Sequence, residues 1–372
     1  MTTSLLAAEN TPAKIAIIAG NTSVPDVFSK TTGQGTYDLY LRVKDIQGSY
    51  TIPYIQSSRE LRMKAPFPGR DVSRVEAVLS CPGHKPRVAL AIASGPLDFG
   101  VLSPGEYTVQ LRGLDRTGQV VARATYHRLG IGVVMAAIGD SITEGYFSRG
   151  YLHNSLELTG DAFPSVSVSR DRRNFPQYSP TTKTHLPAVN CFESWTTRLN
   201  DLASERWKSP VFIANEGWGG ITSAGYLKMM QTDTGWQQRM KLLQPKVWLV
   251  HLGVNDERAK VPAATVAENI EAIARILMKD YGAKSDHIVI ASPAYDYFEG
   301  AEAILKEYCR AIEQTVSRLK LSPGPDFFTA YSTDKGKWYG ADPVHPNIAG
   351  MGYMAELWSR SLSRIAPFEA AS

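Results

Sequence analysis

The pattern of hydrophobic and polar positions changes character near residue 131. Before it, short runs alternate between apolar and polar residues, which is typical of half-buried strands. These runs are residues 14–18, 37–43, 75–79, 88–92, 107–111 and 120–126. A turn-forming segment at 113–118 joins the last two as a hairpin. We therefore predict an all-β sandwich, immunoglobulin-like or jelly-roll, over residues 1–131.

Beyond that point, apolar runs alternate with stretches of helical periodicity. Strands are predicted at 133–138, 211–214, 247–252, 287–291 and, from a weaker pattern, 327–331. Helices are predicted at 192–207, 221–240, 263–279, 301–319 and 348–363. This order predicts a mostly parallel sheet with helices on both faces over residues 132–372. The polar, proline-containing stretch at about 147–190 interrupts the pattern and is interpreted as a functional loop insertion.

Length and composition fit a two-domain globular chain of 372 residues, with 43% hydrophobic and 20% charged residues. The net charge of +4, from 40 basic and 36 acidic residues, predicts neither nucleic-acid nor membrane binding. No apolar stretch approaches the roughly 20 residues that span a bilayer. The first ten residues lack a basic signal-peptide start. We expect a cytoplasmic protein, or a secreted or periplasmic one whose leader has been removed.

Three cysteines, Cys81, Cys191 and Cys309, share no metal-binding spacing and cannot all pair. Neither a disulfide framework nor a zinc cluster is expected from them. Each is interpreted as a small buried apolar residue.

The candidate chemistry begins with Ser141, which follows the apolar run at 133–138. Ligands of open α/β sheets bind at the carboxyl ends of strands, so this hydroxyl is well placed to react. Far downstream, Asp342 stands three residues before His345. A serine needs a base to take its proton, and the base needs an acid to orient it. Ser141, His345 and Asp342 satisfy these roles by residue type.

Donors for an oxyanion are also available. The glycine-rich segment at 215–220 lies between a strand and a helix, so its backbone N–H groups are free to donate. Asn255 follows another strand end and could add its side-chain amide, and the Ser141 N–H is a third donor. Together these residues indicate a serine esterase.

Four segments, in this order, resemble the conserved blocks of the GDSL-type, or SGNH, hydrolases. They are residues 139–142 (Gly-Asp-Ser-Ile), 215–222, 253–256 (Gly-Val-Asn-Asp) and 342–347. The resemblance covers residues 133 to about 365 and implies a flavodoxin-like three-layer α/β/α fold. It also implies that Ser141 is the nucleophile, His345 the base and Asp342 its orienting acid. Gly220, Asn255 and the Ser141 amide would form the oxyanion hole, with no metal or cofactor.

Two departures from the family pattern concern specificity. Ile142 replaces a leucine, and the 147–190 insertion is longer than a minimal member needs. A β-sandwich joined to the hydrolase resembles the layout of several carbohydrate O-acetylesterases. The insertion and Tyr146 directly before it are rich in polar and aromatic residues, which favours a saccharide leaving group. We expect small acyl, most simply acetyl, esters as substrates, with Trp218, Tyr146 and Asp140 as candidate substrate contacts.

Other functions stay open. One is a lipase or thioesterase that acts on longer acyl chains, and another is a non-catalytic carbohydrate-binding protein. A binuclear metallophosphoesterase is faintly suggested by Gly139-Asp140 and Asn255-Asp256, but its further metal-ligand motifs are missing. The Gly-x-Ser-x-Gly elbow of α/β-hydrolases is also missing, because Thr143 occupies its second glycine position. The sequence does not indicate an oligomeric state.

Overall fold

The computed structural model describes residues 18–19, 22–23, 54–57, 59–64, 67, 71–92, 95–144, 177–179, 184–186, 195–339 and 343–366. Several predictions lie outside these residues. They are the strand at 37–43, most of the 147–190 insertion, and the placements of Tyr146, Cys191 and Asp342.

The part of the chain before residue 132 contributes strands to three sheets in the described ranges. The strands are β1 Ile18–Ala19, β2 Thr22–Ser23, β3 Tyr54–Gln56, β4 Glu60–Lys64, β5 Arg74–Ser80, β6 Arg87–Ile92, β7 Pro96–Val101, β8 Gly105–Leu114 and β9 Val120–Ile131. A five-stranded sheet has the order β3-β9-β8-β5-β6, while β4 pairs with β7 and β1 with β2. The predicted runs from residue 75 onward therefore all form strands.

Strands β4 to β9 share one apolar core. Alternate residues of β5 and β8 point inward, so that Val75, Ala77, Leu79, Val109 and Leu111 are all buried. The period of two in the sequence thus reports real burial on one sheet face. The assignment of residues 1–131 to an immunoglobulin-like or jelly-roll sandwich stays a prediction.

The second large sheet is parallel. It consists of β10 Val133–Gly139, β13 Val211–Gly217, β14 Val247–His251, β15 Ile288–Ile290 and β16 Ser322–Pro323. A short hairpin of β11 Gln177–Ser179 and β12 Thr184–Leu186 lies outside it. The order β13-β10-β14-β15-β16 is 2-1-3-4-5 when the five strands are counted along the chain, which is the flavodoxin-like order. The predicted parallel sheet is confirmed.

Helices cover both faces of this sheet. They are α1 Ser141–Glu144, α2 Trp195–Trp207, α3 Ser223–Thr232, α4 Thr234–Leu243, α5 Val254–Arg258, α6 Ala263–Tyr281, α7 Ala301–Leu319, α8 Phe327–Tyr331, α9 Lys335–Trp338 and α10 Ile348–Leu362. Val134, Ala136 and Ile138 of β10 face a core shared with α3, α4, α6 and α7. Val133, Met135 and Ala137 face a core shared with α2, α8 and α10. The result is the three-layer α/β/α arrangement.

Two sequence predictions in this region are wrong. Residues 327–331 form helix α8 rather than a strand, because the Asp326 carboxylate accepts the Thr329 N–H at 3.0 Å and starts a helical turn. The fifth strand is the two-residue β16 instead. The helix predicted at 221–240 is two helices, since Asp233 ends α3 and caps α4 by accepting the Trp236 N–H at 3.0 Å.

Cys81 and Cys309 are free thiols that are half-buried rather than buried. Among the described residues, no helix is both long enough and apolar enough to cross a membrane.

Candidate active site

The strand order reverses direction between β10 and β14, and the loops after these two strands meet at the same edge of the sheet. Crevices at such a reversal are where open α/β sheets bind ligands. Ser141 is the first residue of α1, directly after β10, and its side chain is nearly buried at 9% exposure. Asn255 lies in α5, directly after β14. The fold therefore brings two of the predicted residues to one edge.

Two glycines allow the chain to turn sharply at this edge. A Cβ on Gly139 would lie 2.1 Å from Thr143 Oγ1, and a Cβ on Gly217 would lie 2.3 Å from the Glu144 backbone nitrogen. Gly139 and Gly217 are partners in the parallel register of β10 and β13. Side chains at either position would push α1 away, so both glycines set the depth at which Ser141 sits.

The central contact joins Ser141 and His345, which are 204 residues apart in the chain. Ser141 Oγ lies 2.9 Å from His345 Nε2, within hydrogen-bonding distance. The contact is partly buried. Asp342, the predicted orienting acid, lies outside the described residues, and its contact with His345 stays a prediction.

The loop that carries His345 is held by neighbouring backbone contacts. Tyr297 N donates to Pro343 O at 3.1 Å, and Tyr339 forms a β-bridge with Pro346. Asn347 donates its backbone N–H to Trp338 O at 2.8 Å, and its side chain accepts the Gly350 N–H at 2.9 Å. Asn347 thereby also starts helix α10. These contacts fix the loop on both sides of the imidazole.

A layer of tyrosines, called the tyrosine layer below, packs beneath this loop. Tyr297 Oη donates to Tyr331 O at 2.6 Å, and Tyr339 Oη donates to Tyr295 O at 2.7 Å. The Tyr297 and Tyr339 rings meet edge to face, with centroids 5.3 Å apart. Such pairs add specific packing to the area they bury. The tyrosine layer under His345 is therefore held by both hydrogen bonds and ring packing.

The loop between β13 and α3 carries Trp218 and Gly220 beside Asn255. Gly220 is exposed and has φ +75°, a left-handed conformation that glycine adopts readily. Trp218 is half-buried, and its backbone N–H donates to Gly139 O at 3.0 Å. Asn255 Nδ2 donates to Ile221 O at 3.0 Å, which fixes the orientation of the amide.

The buried carboxylate of Asp256 binds the first residue of α3, just after this loop. Asp256 is fully buried; its Oδ2 accepts the Ser223 N–H at 2.9 Å and its Oδ1 accepts the Ser223 hydroxyl at 2.7 Å. Asn269 Nδ2 donates to the Ser223 hydroxyl at 2.9 Å. Burial raises the pKa of Asp256, while the bonds from Ser223 oppose that rise. The start of α3 is thus tied to α5, the helix that follows β14.

Asp140 lies next to the serine but is completely buried. Its Oδ1 accepts the Ile142 N–H at 3.0 Å. Burial raises the pKa of Asp140 to about 6, and that rise is partly opposed by the Ile142 N–H and by the nearby His345. Its predicted role as a substrate contact stays a prediction, as do those of Trp218 and Tyr146.

Sequence reasoning assigned no role to Ser223, Asp256 or Asn347. Asp256 and Asn347 lie inside the quoted motifs, yet only the fold shows what they bind. Among the described residues, no group of three or more His, Cys, Asp or Glu side chains is arranged to hold a metal ion.

The chain is similar to several solved structures at low sequence identity. A lipase/acylhydrolase from Enterococcus faecalis is 18% identical, with a TM-score of 0.41 over 64% of this chain and 100% of its own. A variant of an acetyl xylan esterase from Geobacillus stearothermophilus is 17% identical, with a TM-score of 0.40 over 62% of this chain and 94% of its own. A lipase from a goat rumen metagenome is 14% identical, with a TM-score of 0.44 over 62% of this chain and 97% of its own.

No curated protein sequence matches this chain. The sequence profile described as "GDSL-like Lipase/Acylhydrolase family" matches residues 137–353, more than half of the chain. That span contains Ser141 and His345, which are in contact, and Asn255. The chain therefore belongs to the GDSL-like lipase/acylhydrolase family.

Proposed function

We propose that this protein is a serine esterase that removes small acyl groups, acetyl above all, from a carbohydrate. The observation that carries the proposal is the 2.9 Å separation of Ser141 Oγ and His345 Nε2. A hydroxyl at this distance from an imidazole can pass its proton to the ring nitrogen as it attacks a carbonyl carbon. Asp342 is assigned the role of orienting the imidazole.

In the acylation step, Ser141 Oγ bonds to the ester carbonyl carbon while His345 Nε2 takes the hydroxyl proton. The carbonyl oxygen becomes an oxyanion, which the N–H groups of Ser141 and Gly220 and the amide of Asn255 stabilise. Because Asn255 already donates to Ile221 O, its amide is oriented before substrate arrives. The tetrahedral intermediate collapses, and His345 returns the proton to the departing alkoxide.

In the deacylation step, a water molecule takes the place of the alcohol. His345 removes a proton from the water as it attacks the acyl carbon. The same donors hold the second oxyanion. As it collapses, the bond to Ser141 Oγ breaks, His345 returns its proton to that oxygen, and the carboxylic acid is released.

The carbohydrate part of the proposal is supported by the composition of the 147–190 insertion. Aromatic and basic residues alternate there with polar ones, and no apolar stripe suited to an acyl chain is present in its sequence. Arginine and tyrosine side chains offer donors and flat faces to sugar hydroxyls and rings.

The test compares hydrolysis of acetyl and octanoyl esters by the wild type and by Ser141→Ala. We expect the acetyl ester to be cleaved faster, and the variant to lose on the order of 10⁴-fold or more in kcat, since removal of the nucleophile leaves only binding and oxyanion stabilisation. EDTA should leave the rate unchanged.

Ser204→Ala serves as the matched control, because this hydroxyl only donates to Asn200 O within helix α2. It should retain full activity. Sensitivity to EDTA or an active Ser141→Ala variant would reject the serine mechanism. A preference for the octanoyl ester would instead favour the lipase or thioesterase alternative.

A further inference from the structure

Beside the proposed site, Phe298 and Arg258 form an exposed stacked pair. The Arg258 guanidinium carbon lies 3.3 Å from the centroid of the Phe298 ring, so one face of the ring is covered. Phe298 is nevertheless 43% exposed, which places the rest of the ring in contact with water. Single exposed apolar side chains are ordinary on protein surfaces, so the distinctive feature here is how this ring is held.

A single buried carboxylate organises the pair. Asp296 Oδ2 lies 3.0 Å from both Nε and Nη2 of Arg258, while Asp296 Oδ1 accepts the Phe298 N–H at 2.8 Å. Asp296 is 1% exposed, so its charge is compensated by these contacts rather than by water. The ring and the guanidinium are therefore preorganised before any ligand binds.

The pair lies at the same sheet edge as the proposed catalytic residues. Arg258 is in α5, one helical turn after Asn255. Tyr297, which precedes Phe298 in the chain, donates its backbone N–H to Pro343 O, two residues before His345. The pair is thus connected both to the helix that carries Asn255 and to the loop that carries His345.

We propose that Phe298 and Arg258 form a saccharide subsite that binds the sugar ring carrying the ester. The C–H face of a pyranose stacks on the open side of the Phe298 ring. The Arg258 side chain is 36% exposed and has N–H groups beyond those that bond Asp296, and these donate to ring hydroxyls. This inference rests on the proposed function, because it assigns the position of the leaving group.

The experiment measures kcat/KM on three esters. They are an acetylated xylo-oligosaccharide, ethyl acetate, whose leaving alcohol has no ring to stack, and ethyl octanoate, which reports on a long acyl chain. The ratio compared below is that of the oligosaccharide to ethyl acetate. For Phe298→Ala we expect the ratio of the two kcat/KM values to fall about fivefold to tenfold, mainly through KM of the oligosaccharide. Phe298→Trp should restore the ratio. Arg258→Lys should lower it severalfold, because lysine keeps the charge beside Asp296 but loses the planar stack.

Val88→Ala is the control, since Val88 is 67% exposed on β6, in the part of the chain before residue 132. It should leave the ratio unchanged. A constant ratio in Phe298→Ala, or a selective loss on ethyl octanoate, would overturn the subsite. Wild-type protein that cleaves ethyl acetate but not the oligosaccharide would overturn the saccharide assignment and leave the serine mechanism standing. Inactivity of the wild type on all three esters would remove the proposed function and the subsite with it.

Discussion

At the scale of single residues, Asp140 places a carboxyl group in a buried position directly before Ser141, the proposed nucleophile. Burial raises its pKa to about 6 from the usual value of 3.8, so it is mostly ionised at neutral pH at a cost to stability. Its charge also interacts favourably with His345. A buried anion near this imidazole would stabilise the imidazolium that forms during acylation.

We expect Asp140→Asn to be more stable than the wild type at pH 8 but slower as an esterase. The folded protein binds a proton at Asp140 more readily than the unfolded chain does. Ionisation of Asp140 therefore lowers the free energy of unfolding of the wild type as pH rises from about 4 to above 6. The gain in the variant should approach about 2–3 kcal/mol at pH 8 and vanish below about pH 4. Urea unfolding across this pH range measures it, and kcat should fall severalfold.

Asp280→Asn is the control, because Asp280 is exposed near the end of α6. It should change stability by less than about 0.5 kcal/mol at every pH. An Asp140→Asn variant whose stability gain is the same at pH 4 and pH 8 would show that the carboxyl is not charged at neutral pH.

Much of the candidate site could be predicted at this scale, but not its supporting residues. Ser141 and His345 stand in recognisable motifs, and the structure places them in contact. His251 carried no such signal: it is fully buried against Phe327, and burial lowers its pKa to about 3. Nothing in its neighbours along the chain indicates this, because its surroundings come from distant parts of the sequence.

At the scale of secondary-structure elements, the start of α3 is tied to helix α5 through Asp256 and Ser223. The backbone N–H and the hydroxyl of Ser223 both donate to the buried carboxylate of Asp256. This contact sets where the loop before α3 lies, and with it Gly220. Small displacements of oxyanion donors are costly because their stabilisation depends on distance.

We expect Asp256→Asn to lower kcat about 10- to 100-fold while KM changes less than about threefold, since the loss falls on the transition state. Ser223→Ala, which keeps the backbone bond, should show a smaller loss of the same kind. Steady-state kinetics on an acetyl ester measure both.

Asp233→Asn is the matched control, because Asp233 also accepts a backbone N–H at a helix start but lies at the other end of α3. Its kcat should be unchanged. Equal losses in Asp256→Asn and Asp233→Asn, or lower stability with unchanged kcat, would assign Asp256 a purely structural role.

Helices and strands differed in how well the sequence predicted them. Helix α7 occupies the predicted residues 301–319 because its apolar positions repeat at helical spacing over many turns. Residues 327–331 are rich in aromatic residues and resembled a strand, but the side chain of Asp326 decides the backbone there. The division of the predicted 221–240 helix at Asp233 has the same cause, a carboxylate that caps a new helix.

At the scale of the whole molecule, the two large sheets are joined with almost no linker. β9 ends at Ile131 and β10 begins at Val133, so that Gly132 alone separates them. Val133 N donates to Pro210 O at 2.9 Å, and Ile131 is buried. The division into domains at 131 and 132 stays a prediction, as does any role of the first part in binding carbohydrate.

Gly132 leaves no room for a side chain at this junction, because a Cβ would lie 2.1 Å from the Pro210 carbonyl oxygen. We expect Gly132→Ala to destabilise the protein by about 2–3 kcal/mol, since the obstructing atom is backbone that is already hydrogen-bonded. Thermal unfolding measures the change. Gly336→Ala, where the nearest atom to a Cβ is 3.9 Å away, should be nearly neutral. Equal effects of the two substitutions would show that the junction is loosely packed.

The tyrosine layer under His345 affects how well the protein keeps its structure in alkaline solution. Burial raises the pKa of Tyr297 and of Tyr331 above the ordinary 10, so these phenols keep their protons in the folded protein at pH values where free tyrosine begins to ionise. Tyr297 Oη therefore still donates to Tyr331 O under mildly basic conditions. We expect the proposed active site to keep its shape there, so that loss of rate at high pH comes from global unfolding rather than from distortion around His345.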